Sequence, residues 1–372
     1  RSKIATSRSC AVRKATPDPT AIRQVIVSEL GRPGRVTLDA GESGHDVFGY
    51  VVEARAFGAA ALERLESADG VSLYWRSRVS AVQEPDGETV LVEVEGEDGS
   101  RSLTAPLLVA ADGTDSAVRA ALGIGARHKD YGQTAVICNV VPEHAHRGRA
   151  FERLTPTGPF AILPHVGERC GLVWCVPSDE ANALLAMEEE EFLAQATERS
   201  GGVLGRLGRL GRRSSYPLRL VLPERDVQGR TVVLGNAAHA IHPAGAQGFN
   251  LGLRDVAVLA ELLAERLAEA DGGSGGPSVD PGAAELLAAY SRWRRPDREA
   301  TVAWTDGLVG LFSSDRVLLR ALRSAGLLAH ALLPPLRRRL ASEAMGFRGR
   351  TPRLAAGQPL RSPRMAESEA AP

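Results

Sequence analysis

Residues 229–256 hold the densest chemistry in the chain. The apolar run from Thr231 to Leu234 reads as a buried strand, and it meets Gly235 and Asn236, then a short turn with His239, His242 and Pro243. A loop bearing Gly245 follows, and a long helix is predicted to start near Gln247, with Gly248 and Asn250 in its first turn. Glycine takes backbone angles closed to other residues and puts no side chain in the way, so glycines at 235, 245, 248 and 252 let the main chain approach a flat ligand. The helix start adds unpaired N–H groups and the positive end of the helix dipole, which suit an electron-rich group.

A second candidate lies upstream. Residues 107–111 read as a fully buried strand running into Asp112 and Gly113, with Asp115 or Ser116 placed to cap the next helix and Arg119 inside it. Alone, a strand followed by Asp-Gly is also an ordinary loop. His239 and His242 are read as residues that cap turns, and no catalytic residue is assigned. Arg55, just ahead of a helix expected over about 56–67, has the fork that suits a phosphate, and equally the profile of a surface arginine.

Together these segments resemble the second flavin motif and the Asp-Gly motif of the FAD-dependent aromatic-hydroxylase monooxygenases, most of all the 2-polyprenyl-6-methoxyphenol hydroxylase branch of ubiquinone biosynthesis. Gly235 and Asn236 fall on the family's Gly-Asp pair, and His242-Pro243 and the run from Gln247 to Val256 fit the branch. The family has Ala-Gly before the glutamine where this chain has Gly245-Ala246, and alanine resists positive φ. The resemblance implies FAD, held by Arg55, Asp112, Gly113, Arg119, Gly235, Asn236, Pro243, Gln247, Gly248 and Asn250, with NAD(P)H as co-substrate. It implies hydroxylation of a (poly)prenylated phenol by O2 through a flavin hydroperoxide, with no metal. Other readings are a flavin hydroxylase of another aromatic, or a non-catalytic remnant or assembly subunit.

The fold that the resemblance implies is α/β with α+β mixing: a Rossmann-like FAD-binding lobe of the p-hydroxybenzoate-hydroxylase type, an antiparallel substrate-domain sheet and C-terminal helices. Such chains open on strand-GxGxxG-helix, which cradles a pyrophosphate. No such pattern occurs in these 372 residues. The expectation is a truncated or frameshifted N-terminus that lacks the first βαβ unit, and a chain that binds FAD poorly. The glycine run over 272–276 follows a helix and reads as a linker.

Composition is neutral. Forty-five basic and forty-five acidic residues give a pI near 7.3, against a nucleic-acid binder that depends on counterion release. Cys10, Cys138, Cys170 and Cys175 suit reduced thiols; the last two, an odd number apart, would face opposite sides of one strand. With no signal peptide and no long apolar span, the chain reads as cytoplasmic, with contact at the inner-membrane surface or a ubiquinone-biosynthesis complex as further partners. Residues 317–333 with Arg337, Arg338 and Arg339 could lie on an anionic surface or pack as an ordinary helix.

Periodicity predicts strands at 22–28, 34–39, 71–75, 78–84, 89–95 and 107–111, then 132–141, 148–154, 159–164, 170–176 and 215–220. Helices dominate after 247, with Val256, Leu259, Leu263 and Leu267 as one apolar stripe, and a longer helix covers about 283–312. The domain reading is 1–19 unstructured, 20–48 strands of the substrate sheet, 49–130 and 213–268 the FAD lobe, and 131–212 the substrate domain. A linker at 269–282, helices at 283–347 and a disordered tail at 348–372 complete it.

Overall fold

The computed structural model describes residues 19–32, 35–84, 87–271, 279–312, 326, 329–330, 333–345 and 349–361. They fall into two compact units, one drawn from Arg1–Asp69, Asp130–Leu218 and Trp304–Phe347, the other from Gly70–Lys129, Arg219–Ala303 and Arg348–Pro372.

The first unit opens on β1 (Thr20–Ile22), β2 (Gln24–Glu29), β3 (Arg35–Asp39), β4 (Gly49–Val51) and helix α1 (Ala54–Glu66). It resumes with β9 (Ala126–Pro142), β10 (Arg149–Thr155), β11 (Gly158–Pro164) and β12 (Cys170–Pro177), then α3 (Ala181–Ala186), α4 (Glu189–Ser200), β13 (Leu207–Gly208) and β14 (Ser214–Pro223). The main sheet runs β13-β9-β12-β11-β10-β2-β3, with β14 also on β9. The sheet is mixed rather than antiparallel, because β2 pairs in parallel with β10. Parallel neighbours need a long crossover, and most of the chain's first half lies between these two strands. Period-two burial along β11 sets Phe160 opposite Trp174, with ring centroids 5.5 Å apart and edge to face, and Phe192 of α4 closes on Trp174 at 5.4 Å. Such pairs add about 0.5–1.5 kcal/mol each beyond the area they bury.

In the second unit, β8 (Leu108–Ala110) and β16 (Thr231–Val233) pair in parallel, with Val109 opposite Val232, and β15 (Val227–Gln228) flanks β16. An antiparallel sheet of β5 (Arg78–Gln83), β6 (Val90–Gly96) and β7 (Gly99–Ala105) packs with one face of that pair. Helices α5 (Gly248–Asp271) and α6 (Ala284–Phe312) cover the other face. Alternation along β16 decides which side chain serves which layer. Val233 joins Val82, Val92 and Val118, while Val232 joins Val258, Leu287 and Tyr290. Both valines are fully buried, each contributing roughly 1.5–3 kcal/mol of apolar burial.

Several expectations are corrected. Residues 71–75 form no strand; Trp75 is 62% exposed, and no neighbouring strand is there to pair with this segment among the described residues. Of the expected stripe on α5, Leu259 is buried and Leu263 packs against the same cluster, but Val256 and Leu267 point outward, and the inward face also carries Leu251, Asp255, Val258 and Glu261. An ion pair of Asp255 and a close approach at Gly252 set this rotation, and the leucines alone do not. The described parts of the expected linker and tail are ordered. Helix α5 continues to Asp271, Asp280 forms a two-pronged pair with Arg230 at 2.7 Å, and residues 349–361 dock through Arg353 N–H on the buried Glu261 carboxylate at 2.5 Å. Arg350 also stacks on Trp293, its guanidinium carbon 3.6 Å from the ring centroid. Cys170 and Cys175 are both fully buried on β12 and join different clusters, as the odd spacing requires. Most of 317–333 lies outside the described residues; beyond it, in α7 (Pro334–Ala344), Arg337 pairs with Glu42 at 3.2 Å.

Candidate flavin site

Both motif segments leave the carboxyl ends of the parallel pair β8 and β16. Open parallel sheets bind ligands there, because the loops leaving adjacent strands face a common crevice. The Leu234 N–H donates to Ala110 O at 3.0 Å, which carries the pairing to the edge of both turns.

After β8 the chain passes exposed Asp112 and Gly113 (φ 90°) into the short helix α2 (Ala117–Ala121). Ser116 is the cap, accepting from Arg119 N–H at 3.0 Å, and Asp112 Oδ2 accepts from Val118 N–H at 3.1 Å. Asp115 pairs instead with Arg219 at 2.5 Å. After β16, Gly235 takes φ 61° and opens one 3-10 turn, Gly235–Ala237, with Asn236 exposed on it. A Cβ on Gly252 would stand 3.3 Å from Gly235 Cα, so α5 lies tightly against this turn and a larger residue there requires the turn to give by a few tenths of an ångström. Arg119 joins the two turns. Buried at 7% exposure, it donates from Nη1 to Ala237 O at 2.7 Å and from Nη2 to Thr114 O at 2.9 Å. Its charged donors are thus spent on the main chain of both motifs.

The loop to α5 is tightly wound. Fully buried His242 accepts from Ala244 N–H on Nδ1 at 3.1 Å, a turn cap as expected. Pro243 starts a turn closed by Ala246 N–H to Pro243 O at 2.8 Å, with Gly245 at φ 74° and Ala246 at φ 52°. Alanine therefore does hold the left-handed geometry, at a cost on the order of 1–2 kcal/mol. Gln247 is buried and donates to Gly245 O at 3.2 Å; exposed Asn250 donates to Ala246 O at 3.4 Å. At Gly248, the first residue of α5, a Cβ would meet only Ile241 Cγ1 at 3.7 Å.

The residue that sequence reasoning missed is Asp255. Its Oδ2 accepts from Gly235 N–H at 3.1 Å and from His239 Nε2 at 2.6 Å, and its Oδ1 accepts from Arg294 Nε at 2.7 Å. Burial pushes this carboxyl up, but the His239 hydrogen bond and charge, with the Arg294 guanidinium, outweigh it and hold it below its usual range. His239 thus serves the carboxylate rather than a turn. A charged residue four positions after Leu251, on the inward stripe of a helix, was the available signal.

Nine of the ten expected FAD residues lie on these two loops of the second unit: Asp112, Gly113 and Arg119 after β8, and Gly235, Asn236, Pro243, Gln247, Gly248 and Asn250 after β16. Arg55 is exposed on the first turn of α1, in the first unit. A Cβ at Gly113 or Gly235 would meet nothing within 4 Å, and Asp112 and Asn236 are exposed at the strand ends, which fits a flat cofactor with a polar chain. No group of three His, Cys, Asp or Glu among the described residues could hold a metal ion.

Known proteins share both the fold and the sequence pattern of this chain. The fold is that of p-nitrophenol 4-monooxygenase PnpA from Pseudomonas putida DLL-E4, with a TM-score of 0.71 at 20% identity over 91% of this chain and 84% of that one. PqsL of P. aeruginosa gives 0.67 at 23% identity over 85% and 83%. Residues 59–305 match the family described as FAD binding domain. Ubiquinone hydroxylase UbiL of Rhodospirillum rubrum is 42% identical over 84% of this chain and 71% of its own length. Ubiquinone hydroxylase UbiM of Neisseria meningitidis is 30% identical over 81% and 63%, and the 3-demethoxyubiquinol 3-hydroxylase of Escherichia coli is 29% identical over 84% and 76%. The chain belongs to the FAD-dependent aromatic-hydroxylase monooxygenases, in their ubiquinone-biosynthesis hydroxylase branch.

Proposed function

We propose that the chain is the FAD-dependent hydroxylase of a prenylated phenol in ubiquinone biosynthesis. The overall reaction takes an aromatic C–H, O2, NAD(P)H and a proton to a phenolic C–OH, NAD(P)+ and water. One observation supports it above the others: the two cofactor turns stand side by side at the ends of β8 and β16, in a chain 42% identical to a ubiquinone hydroxylase.

When bound, FAD supplies the redox chemistry with O2, and the protein supplies position, dryness and charge. Asp112 and Asn236 offer polar side chains to the cofactor's chain, and the glycine backbone at 113 and 235 keeps the crevice open. The amino end of α5, a helix of 24 residues that begins at Gly248, would place the positive end of its dipole and its first-turn N–H groups to stabilise negative charge on a bound flavin. A phenol is electron-rich, so this reading assigns no metal and no acid-base pair. No helix among the described residues is long and apolar enough to cross a membrane, and the membrane-borne substrate would be met by peripheral contact or within a ubiquinone-biosynthesis complex. Cytoplasmic placement at the inner membrane belongs to the same proposal.

The test is NAD(P)H oxidation by flavin-loaded protein with a prenylated phenol, with mass spectrometry of the product. One added oxygen on the ring supports the reading. Hydroxylation of an unprenylated aromatic only would change the substrate, and failure to retain flavin would return the chain to a non-catalytic scaffold.

A further inference from the structure

The turn carrying Asn236 hangs on a buried charged network that begins at Arg254 and Asp255, at the end of the second motif, and runs beyond it to Arg294 and Asp297. Asp255 on α5 is fully buried, Arg294 on α6 is 2% exposed, and the chain of pairs continues from Arg294 Nη1 to Asp297 Oδ2 at 2.6 Å and from Arg254 Nε to the same oxygen at 2.8 Å. Asp255, Arg294, Asp297 and Arg254 alternate in sign and cancel. Taking such groups out of water is costly, and a packed apolar cluster would hold α5 to α6 more cheaply. An apolar cluster, however, could not accept the hydrogen bonds that Asp255 takes from the turn.

Those bonds go to both ends of one small element. Gly235 N–H opens the 3-10 turn, and His239 follows it; both donate to the same Asp255 oxygen, at 3.1 and 2.6 Å. Gly235 O in turn accepts from the N–H groups of Ala238 and His239, each at 2.9 Å. Three residues before Asp255, Gly252 leaves the gap that lets α5 reach Gly235. One helix therefore provides the clearance and the anchor together, and Arg294 fixes the anchor's second oxygen.

We infer that Asp255 and Arg294 are positioning residues for the cofactor turn: Asp255 locks Gly235 in its left-handed geometry, and Arg294 locks Asp255. The inference rests on the proposed reading that Gly235 and Asn236 hold FAD, but the latch itself exists in the protein without cofactor.

Amide hydrogen exchange of cofactor-free protein therefore tests it directly, beside FAD affinity from quenching of flavin fluorescence. In Asp255→Asn and Arg294→Met, a peptide covering 231–240 should exchange about tenfold faster or more, with strands 158–164 and 170–177 unchanged, and the FAD dissociation constant should rise by about tenfold or more. Arg294→Lys, which keeps the buried charge and is the variant least prone to misfold, should fall between wild type and Arg294→Met. Tyr290→Phe removes a buried hydroxyl that has no hydrogen-bond partner among the described residues, and should alter neither readout. Unchanged exchange at 231–240 in the three network variants would overturn the inference, as would faster exchange spread evenly over the second unit with FAD affinity intact. Wild-type protein that protects 231–240 yet takes up no FAD would refute the cofactor reading and leave the latch judged by exchange alone.

Discussion

Gly252→Ala sets two known effects against each other. In an exposed helix, replacing glycine by alanine gains about 0.8–1.0 kcal/mol of helix propensity. At position 252 the new methyl would stand 3.3 Å from Gly235 Cα and 4.0 Å from His239 Cε1. The neighbour must yield by a few tenths of an ångström, and Gly235 is poorly placed to do so, because its N–H is held by Asp255 and its carbonyl by Ala238 and His239. Overpacking of this kind costs about 1–3 kcal/mol, so a net loss of roughly 0–2 kcal/mol is expected, with a displaced cofactor turn and weaker FAD binding. Gly307→Ala, in a helix where a Cβ meets nothing within 4 Å, is the control and should gain stability by the propensity term alone. Urea denaturation and flavin titration of both variants give the comparison. If Gly252→Ala matched Gly307→Ala in stability and bound FAD like wild type, the close approach of α5 to the turn would have no consequence and the reasoning would fail.

Three further outcomes follow from the same geometry. Gly248→Val should keep the far-ultraviolet circular dichroism, since a Cβ there has room, while losing most FAD-dependent NAD(P)H oxidation because the branched side chain enters the crevice; unchanged turnover would remove the start of α5 from the site. Arg119→Met strips two charge-assisted bonds from Ala237 O and Thr114 O, worth about 1.5–3 kcal/mol each, so urea unfolding should show a loss of a few kcal/mol, and a loss below about 0.5 kcal/mol would contradict its bracing role. Burial pushes the thiols of Cys138, Cys170 and Cys175 up to about 12, so in a Cys10→Ser background the native protein should not react with a disulfide reagent at pH 8, whereas all three thiols should titrate in denaturant; rapid labelling of the folded protein would refute their burial.

The two turns proposed to hold the cofactor were legible in sequence because their geometry is local. A buried strand followed by Gly235-Asn236, and an apolar one followed by Asp112-Gly113, demand turns wherever they lie, although Val109 of the second strand is 41% exposed and not buried as its run of apolar residues suggested; the positive φ of Gly113, Gly235 and Gly245 is a property that glycine carries with it. Periodicity likewise placed strands at 159–164 and 170–176, within a residue of the observed bounds of β11 and β12. What tertiary structure alone decided is everything that depends on partners distant in the chain. No local pattern says that β2 runs parallel to β10, that Arg353 finds Glu261, or that Arg119 spans to Ala237. The rotation of α5 shows the reason most clearly: its leucines allow more than one inward face, and the choice falls to Asp255, whose charge is tolerable inside only where Arg294, 39 residues on, and the Gly235 turn, 20 residues back, converge to satisfy it.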